Sequence, residues 1–217
     1  MIKSNFVVWD VETGGLEKFE HPITQFACMI IDGATLKEID RWETFIKPYA
    51  DLKITKESLE KTMVKMSQIN AGIDITVFNK TITQFLKQHN TTPKKPQYGK
   101  LVPVGHNVQF DLGFLEVALA LEANELYDYI TPNYIDTLPM SKLAFGIKKE
   151  EKINLGAACE AAGIKLTDAH GAMNDVEATA ELLRFFTKRL RNSRGEGSGE
   201  KEKRAIGKEF FEFKCAK

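Results

Sequence analysis

Long apolar runs are missing from this sequence. Nothing in its 217 residues approaches the ~18 consecutive apolar residues of a membrane span, and the opening Met1-Ile2-Lys3-Ser4-Asn5 lacks a signal-like apolar stretch. A membrane protein and a secreted one are set aside, and a cytoplasmic location is the expectation. Cysteine is scarce: Cys28, Cys159 and Cys215 are far apart and odd in number, which excludes a disulfide framework and a paired-cysteine zinc site. Net charge is absent as well, with 30 basic and 30 acidic residues, so the chain does not hold nucleic acid through bulk electrostatics. What is present is ordinary for a globular protein, 43% apolar and 28% charged, and the length allows one full domain and a short remainder.

The charge is unevenly spread. Residues 1–183 carry 19 Lys and Arg against 25 Asp and Glu, whereas residues 184–217 carry 11 against 5. The composition predicts a folded domain over 1–190 and a flexible linker over 191–204, rich in Gly, Ser and Glu. A short apolar and basic tail follows over 205–217, with Ile206, Phe210, Phe211 and Phe213. Such a tail suits docking on a protein partner, and equally docking on its own domain.

Periodicity supplies the elements. Asn5 to Asp10 reads as a buried strand ending in a carboxylate. Gln25 to Ile31 and Ile39 to Ile46 read as two further strands, antiparallel across the turn Asp32-Gly33-Ala34-Thr35. Val77, Ile82, Phe85 and Leu86 fall at helical spacing, Leu101 to Val104 reads as a strand, and Phe110 to Ala123 as a helix. A brief strand is expected at Tyr134 to Asp136, and short helices at Leu138 to Phe145 and Leu155 to Ala162, the second closed by Gly163. Val176, Thr179, Ala180, Leu183, Phe186 and Leu190 mark a last helix, with Asn174 as its expected N-cap and Glu177 completing a capping box. Antiparallel strands followed by alternating strands and helices make this an α/β chain built on a mixed sheet.

Three acidic clusters carry the chemistry. Asp10 and Glu12 end the first strand two residues apart, so strand geometry puts both on one side, where like charges repel unless a cation compensates. A solvent-facing strand end accounts for the same pair. The segment Gly105-His106-Asn107-Val108-Gln109-Phe110-Asp111 places Asp111 in the first turn of a helix, where the helix dipole alone favours an acid. The third cluster is His170 with Asp175 at the start of the last helix, which also reads as an ordinary loop histidine beside a helix-start acid.

Taken in order, DxET, HNxxFD and HxxxxD, with Ile135-Asp136-Thr137-Leu138 between the last two, resemble the DnaQ-like (DEDDh) family of 3′ to 5′ exonucleases. That group includes the epsilon proofreading subunit of bacterial DNA polymerase III and RNase T. The resemblance runs from about Phe6 to Phe186. It implies a ribonuclease H-like fold with a five-stranded mixed sheet and helices on both faces. It also implies that Asp10, Glu12, Asp111 and Asp175 are the metal-binding acids and His170 the general base. Hard carboxylate oxygens suit two Mg²⁺ or Mn²⁺ ions, and two such ions stabilise both the attacking and the leaving oxygen of a phosphodiester. The expected products are nucleoside 5′-monophosphates, released from the 3′ end of single-stranded DNA in proofreading or end-trimming. The alternatives are trimming of RNA 3′ ends and a silent nucleic-acid-binding module.

By the same resemblance Thr13, Gly14, Gly15 and Leu16 form the turn that cradles the terminal nucleotide, with Gln25 near its 3′ end. Two positions depart from the family pattern. Gly14 stands where relatives commonly carry Thr, which reads as a looser turn, and Gln25 stands where many carry Glu. His106 and Asn107 read as bracing the loop before Asp111, with Asn107 also an expected substrate contact, His21 and His89 as solvated loop residues, and Phe110 and Phe114 as core. Lys94, Lys95 and Lys100 read either as phosphate contacts or as a solvated loop.

Overall fold

The computed structural model describes residues 4–92, 99–146, 153–165 and 171–193. Five strands form one sheet in the order β3-β2-β1-β4-β5. The central strand β1 (Phe6–Thr13) runs antiparallel to β2 (Ile23–Ile31) and parallel to β4 (Val102–Gly105). The edges are β3 (Glu38–Phe45), antiparallel to β2, and β5 (Ile135–Asp136), parallel to β4. This is the expected mixed five-stranded sheet.

The alternation of β1 decides what lies on each face. Val7, Trp9 and Val11 point into a core shared with α3 (Ile75–Gln88) and α4 (Val108–Ala120), through Phe78, Ile82, Leu86, Leu112, Leu115 and Leu119. Phe6 and Val8 point the other way, against Ala172, Val176, Ala180 and Leu183 of the last helix, α7 (Ala172–Ser193). The opposite flank of α7, through Ala178, Leu182 and Phe186, buries α5 (Thr137–Phe145) and α6 (Leu155–Ala161). Helices therefore cover both faces. Cys28 and Cys159 are buried thiols, and burial pushes Cys159 up to about 11.

Two short helices, α1 (Lys56–Thr62) and α2 (Met66–Asn70), go beyond the sequence expectation. α1 buries none of its residues, so the hydrophobic period that identifies helices is absent from it. Its local signal is Thr55, whose side chain accepts from Ser58 N at 3.1 Å as an N-cap.

Other expectations are corrected. α7 begins at Ala172, so Asn174 is its third residue and not a cap, and Asp175 N donates to Gly171 O at 3.1 Å. Glu177 reaches Arg41 on β3 at 2.5 Å and closes no capping box. α7 also continues past Leu190 to Ser193, into the stretch read as linker, with Arg191 donating to the Ala34 and Gly33 carbonyls of the β2–β3 turn. The rest of the linker and the tail lie outside the described residues. His89 is not solvated: its side chain is 12% exposed, lies 3.1 Å from Asp40 and packs edge-on against Phe85. Among the described residues no helix is long and apolar enough to cross a membrane.

Candidate active site

Strand geometry carries from Val8 through Glu12, so Asp10 and Glu12 emerge on the α7 side of the sheet at its carboxyl end. There the first turn of α7 presents Asp175. One carboxylate oxygen from each of Asp10, Glu12 and Asp175 lies within 4.8 Å of the others. A register shift follows between Glu12 and Thr13, where pairing resumes from Thr13 to Ile23 with one residue of β2 skipped.

Asp111 arrives from the other face. It sits 4% exposed in the first turn of α4, and its Oδ1 accepts from Val11 N at 3.1 Å, the backbone amide between Asp10 and Glu12. The first and second motifs are thereby tied together through the backbone amide of Val11.

The electrostatics follow from that crowding. Burial, and then the charges of Asp111, Glu12 and Asp175, holds the Asp10 carboxyl well above the usual carboxylate range. Burial and Asp175 push Glu12 up to about 7, with Lys61 acting against them. Burial pushes Asp111 up to about 8 against the amide of Val11, and the charges of Asp136 and Glu12 add to the rise. Acids that resist ionisation together, with oxygens close enough to share a ligand, fit divalent cations of the hard-oxygen class.

The loop between β4 and α4 is held from β5. One oxygen of Asp136 accepts from Asn107 N at 3.0 Å and from Leu138 N at 2.9 Å, capping α5 and fixing the left-handed Asn107 (φ 72°) in one bond set. His106 Nδ1 lies 3.0 Å from Thr137 Oγ1, which itself donates to Gly105 O at 3.1 Å. His106 and Asn107 thus brace the loop before Asp111, as the sequence suggests. Asp136→Ala removes the shared acceptor and is expected to lower unfolding stability by about 1–2 kcal/mol, read as a lower urea midpoint at unchanged slope.

A groove of about 830 Å³ opens beside the trio, lined by Glu12, Thr13, Gly15, Leu16 and Asp175 among others. Leu16 is 71% exposed at its rim. Gly14 lies behind this wall, and it does not loosen the turn. Its N–H donates to Pro22 O and its carbonyl accepts from Thr55 N, both at 2.8 Å, and a Cβ there would stand 2.7 Å from Lys53 O. Only glycine permits that approach. Gln25 and Asn107 do not line the groove. Gln25 is buried on β2, opposite Glu12, with its amide donating to Glu43 at 2.6 Å.

Phe110 lines the groove although it packs on Phe114 as a core residue, and His21 reaches it through contacts to Glu17. The far wall comes from α1, with Glu57, Ser58 and Lys61, and from Asn154, Leu155 and Gly156 at the start of α6. The α1 residues were silent in the sequence because nothing in their spacing is periodic, and the α6 start was legible as a helix but not as a groove wall. Lys100 bonds the Tyr127 carbonyl. His170, Lys94 and Lys95 lie outside the described residues.

Three acids from two ends of the chain, a fourth bonded to the backbone between two of them and a groove alongside make up the candidate site. A family profile described as exonuclease matches residues 7–183. The chain belongs to the exonuclease family of RNase T and DnaQ-like proteins. Among its relatives, a PolC-type DNA polymerase III from Halalkalibacterium halodurans is 30% identical over 183 residues, covering 84% of this chain and 11% of that protein. The corresponding protein of Bacillus subtilis is 29% identical over 183 residues, covering 83% and 11%. The chain therefore spans about a ninth of the length of these relatives. A solved exonuclease I superposes with a TM-score of 0.70 at 20% identity, covering 87% of this chain and 44% of that one. Escherichia coli exonuclease I bound to a dT13 oligonucleotide gives 0.66 at 20% identity, with the same coverage. This exonuclease domain thus shares its fold with exonuclease I.

Proposed function

We propose that the chain is a metal-dependent exonuclease that hydrolyses single-stranded DNA from the 3′ end and releases nucleoside 5′-monophosphates, in proofreading or end-trimming. The observation that carries this is the convergence of Asp10, Glu12 and Asp175 on one point, with Asp111 bonded to the backbone between the first two. DNA is favoured because the relatives are DNA polymerases and the exonuclease I complexes are with DNA oligonucleotides.

Asp10, Glu12 and Asp175 would hold one Mg²⁺ or Mn²⁺, and Asp10 with Asp111 a second. When bound, such ions neutralise charge on the scissile phosphate and make water a better nucleophile at neutral pH. The rest is the work of the chain. Thr13, Gly15 and Leu16 seat the terminal nucleotide, Leu16 against its base, with Gly14 fixing the turn from behind. Gln25, on β2 opposite Glu12, and Asn107, in the loop before Asp111, act near the 3′ end from behind the groove. His170 takes the proton of the attacking water, histidine being the side-chain type that exchanges protons most readily near neutral pH. The bond from phosphorus to the 3′ oxygen of the preceding nucleotide breaks, and that oxygen is protonated as the new 3′ hydroxyl. The apolar tail, over 205–217, is proposed as a docking peptide for a protein partner.

Purified chain incubated with 5′-labelled single-stranded DNA and RNA in Mg²⁺ or Mn²⁺ is expected to give a ladder shortening from the 3′ end of the DNA, abolished by chelator. A 3′-phosphate product, or digestion from the 5′ end, overturns the mechanism. RNA shortened faster than DNA replaces the reading with an exoribonuclease.

A further inference from the structure

The groove beside the trio is walled by acids: Glu12, Glu17, Glu57 and Asp175 all line it. A phosphodiester strand entering it meets its own sign of charge on several sides, which is unfavourable wherever no cation stands between. Ions held by the trio offset this at the scissile phosphate alone. Among the described residues that line the groove, the basic ones are Lys61 and His21, and the ring of His21 is engaged with the backbone of Glu17.

Lys61 is placed for a different use. It lies in the last turn of α1, and its charge acts on Glu12. Lys56, at the first residue of the same helix, is paired with Glu60 at 3.6 Å, whereas Lys61 forms no ion pair among the described residues. α1 buries nothing, so its position is set by its ends. At its start, Thr55 N donates to Gly14 O at 2.8 Å and Lys53 N to Glu20 O at 2.9 Å, tying the helix to the loop that follows β1. At its end, Met63 turns the chain in a left-handed conformation (φ 58°) and Val64 is buried. The helix thus brings to the groove wall an ammonium that has no ion pair among the described residues and whose charge reaches Glu12.

We propose that Lys61 binds a backbone phosphate of the substrate strand next to the scissile bond and so lets a polyanion occupy an acidic groove. The proposal rests on the exonuclease reading for the identity of the strand. A lysine ammonium is a point charge without a fixed fork, suited to phosphate and blind to the base attached. The contact serves every sequence equally.

The test uses the full chain with Lys61→Met, which keeps the stem and removes the charge, and Lys61→Arg, which restores it. Binding of labelled oligo-dT and oligo-dA is followed by anisotropy with Ca²⁺ in place of Mg²⁺, and turnover is measured separately with Mg²⁺. Lys61→Met is expected to weaken binding of both oligonucleotides about tenfold, the loss of one charge-assisted bond. The slope of log affinity against log salt becomes shallower by about 0.7, the single-strand value for one phosphate. KM rises while kcat stays within about threefold, and Lys61→Arg recovers KM. Because Lys61 is exposed and packs into no core, the variant is expected to keep the wild-type far-UV circular dichroism. An unchanged salt slope and KM overturn the proposal, as does a fall in kcat alone, which would mean that Lys61 acts only through Glu12. Wild-type protein that binds the oligonucleotides through Lys61 but never shortens them leaves this inference standing and removes the exonuclease reading. Shortening that is indifferent to Lys61 does the reverse.

Discussion

Asp10→Asn is expected to lower kcat by at least about a thousandfold while leaving the fold intact, because several kcal/mol of transition-state charge stabilisation depend on the ions it would hold. Asp10 is the acid that feels all three others, Glu12, Asp111 and Asp175. Its amide keeps the shape and removes the charge at the centre of the cluster. Single-turnover measurements with saturating Mg²⁺ or Mn²⁺ separate a lost chemical step from weakened strand binding, and the chemical step is the one expected to fail. Asp175→Asn is expected to behave alike, since it closes the trio. A ladder surviving either change at near wild-type rate sinks the assignment of the site.

Glu12→Gln is expected to inactivate the enzyme and yet stabilise it when no metal is added. The Glu12 carboxyl is pushed from 4.5 up to about 7, chiefly by burial. A raised folded-state pKa means the protonated form is favoured by folding. That stability is full below 4.5, is lost as the pH rises through about 7, and is gone above it. At pH 8.5 the wild type therefore carries a penalty that glutamine lacks, about 3 kcal/mol at 1.36 kcal/mol per pKa unit. The metal-free variant is expected to melt about 6–12 °C higher in calorimetry at that pH, and within about 2 °C of wild type at pH 5. Adding Mn²⁺ should raise the wild-type midpoint more than that of the variant, since a ligand stabilises the state that binds it. A variant that melts lower than wild type at both pH values would show that Glu12 is not held against its own charge.

Much of this was legible in the chain because period and spacing survive folding. The run Phe6 to Asp10 became the central strand, and alternation along it carried Asp10 and Glu12 to one face as expected. Val176, Thr179, Ala180, Leu183 and Phe186 are all buried along α7. What was illegible has no period. α1 buries no side chain, so Lys61 and Glu57 gave no sign that they wall a groove. Asn174 looked like a cap because its residue type and spacing fit one, but α7 gains another two residues before it and packs Ala172 against the sheet. Gly14 looked like slack, and its tightness depends on Lys53 and Pro22, whose approach is tertiary.

The hydrogen bond from Val11 N to Asp111 joins partners a hundred residues apart, and Asp175 comes from the last helix of the described chain. The acidic cluster is therefore complete only when three segments far apart in the chain have been brought together. A polypeptide cut before α7 lacks the third carboxylate of the trio and one residue of the groove wall, both supplied by Asp175.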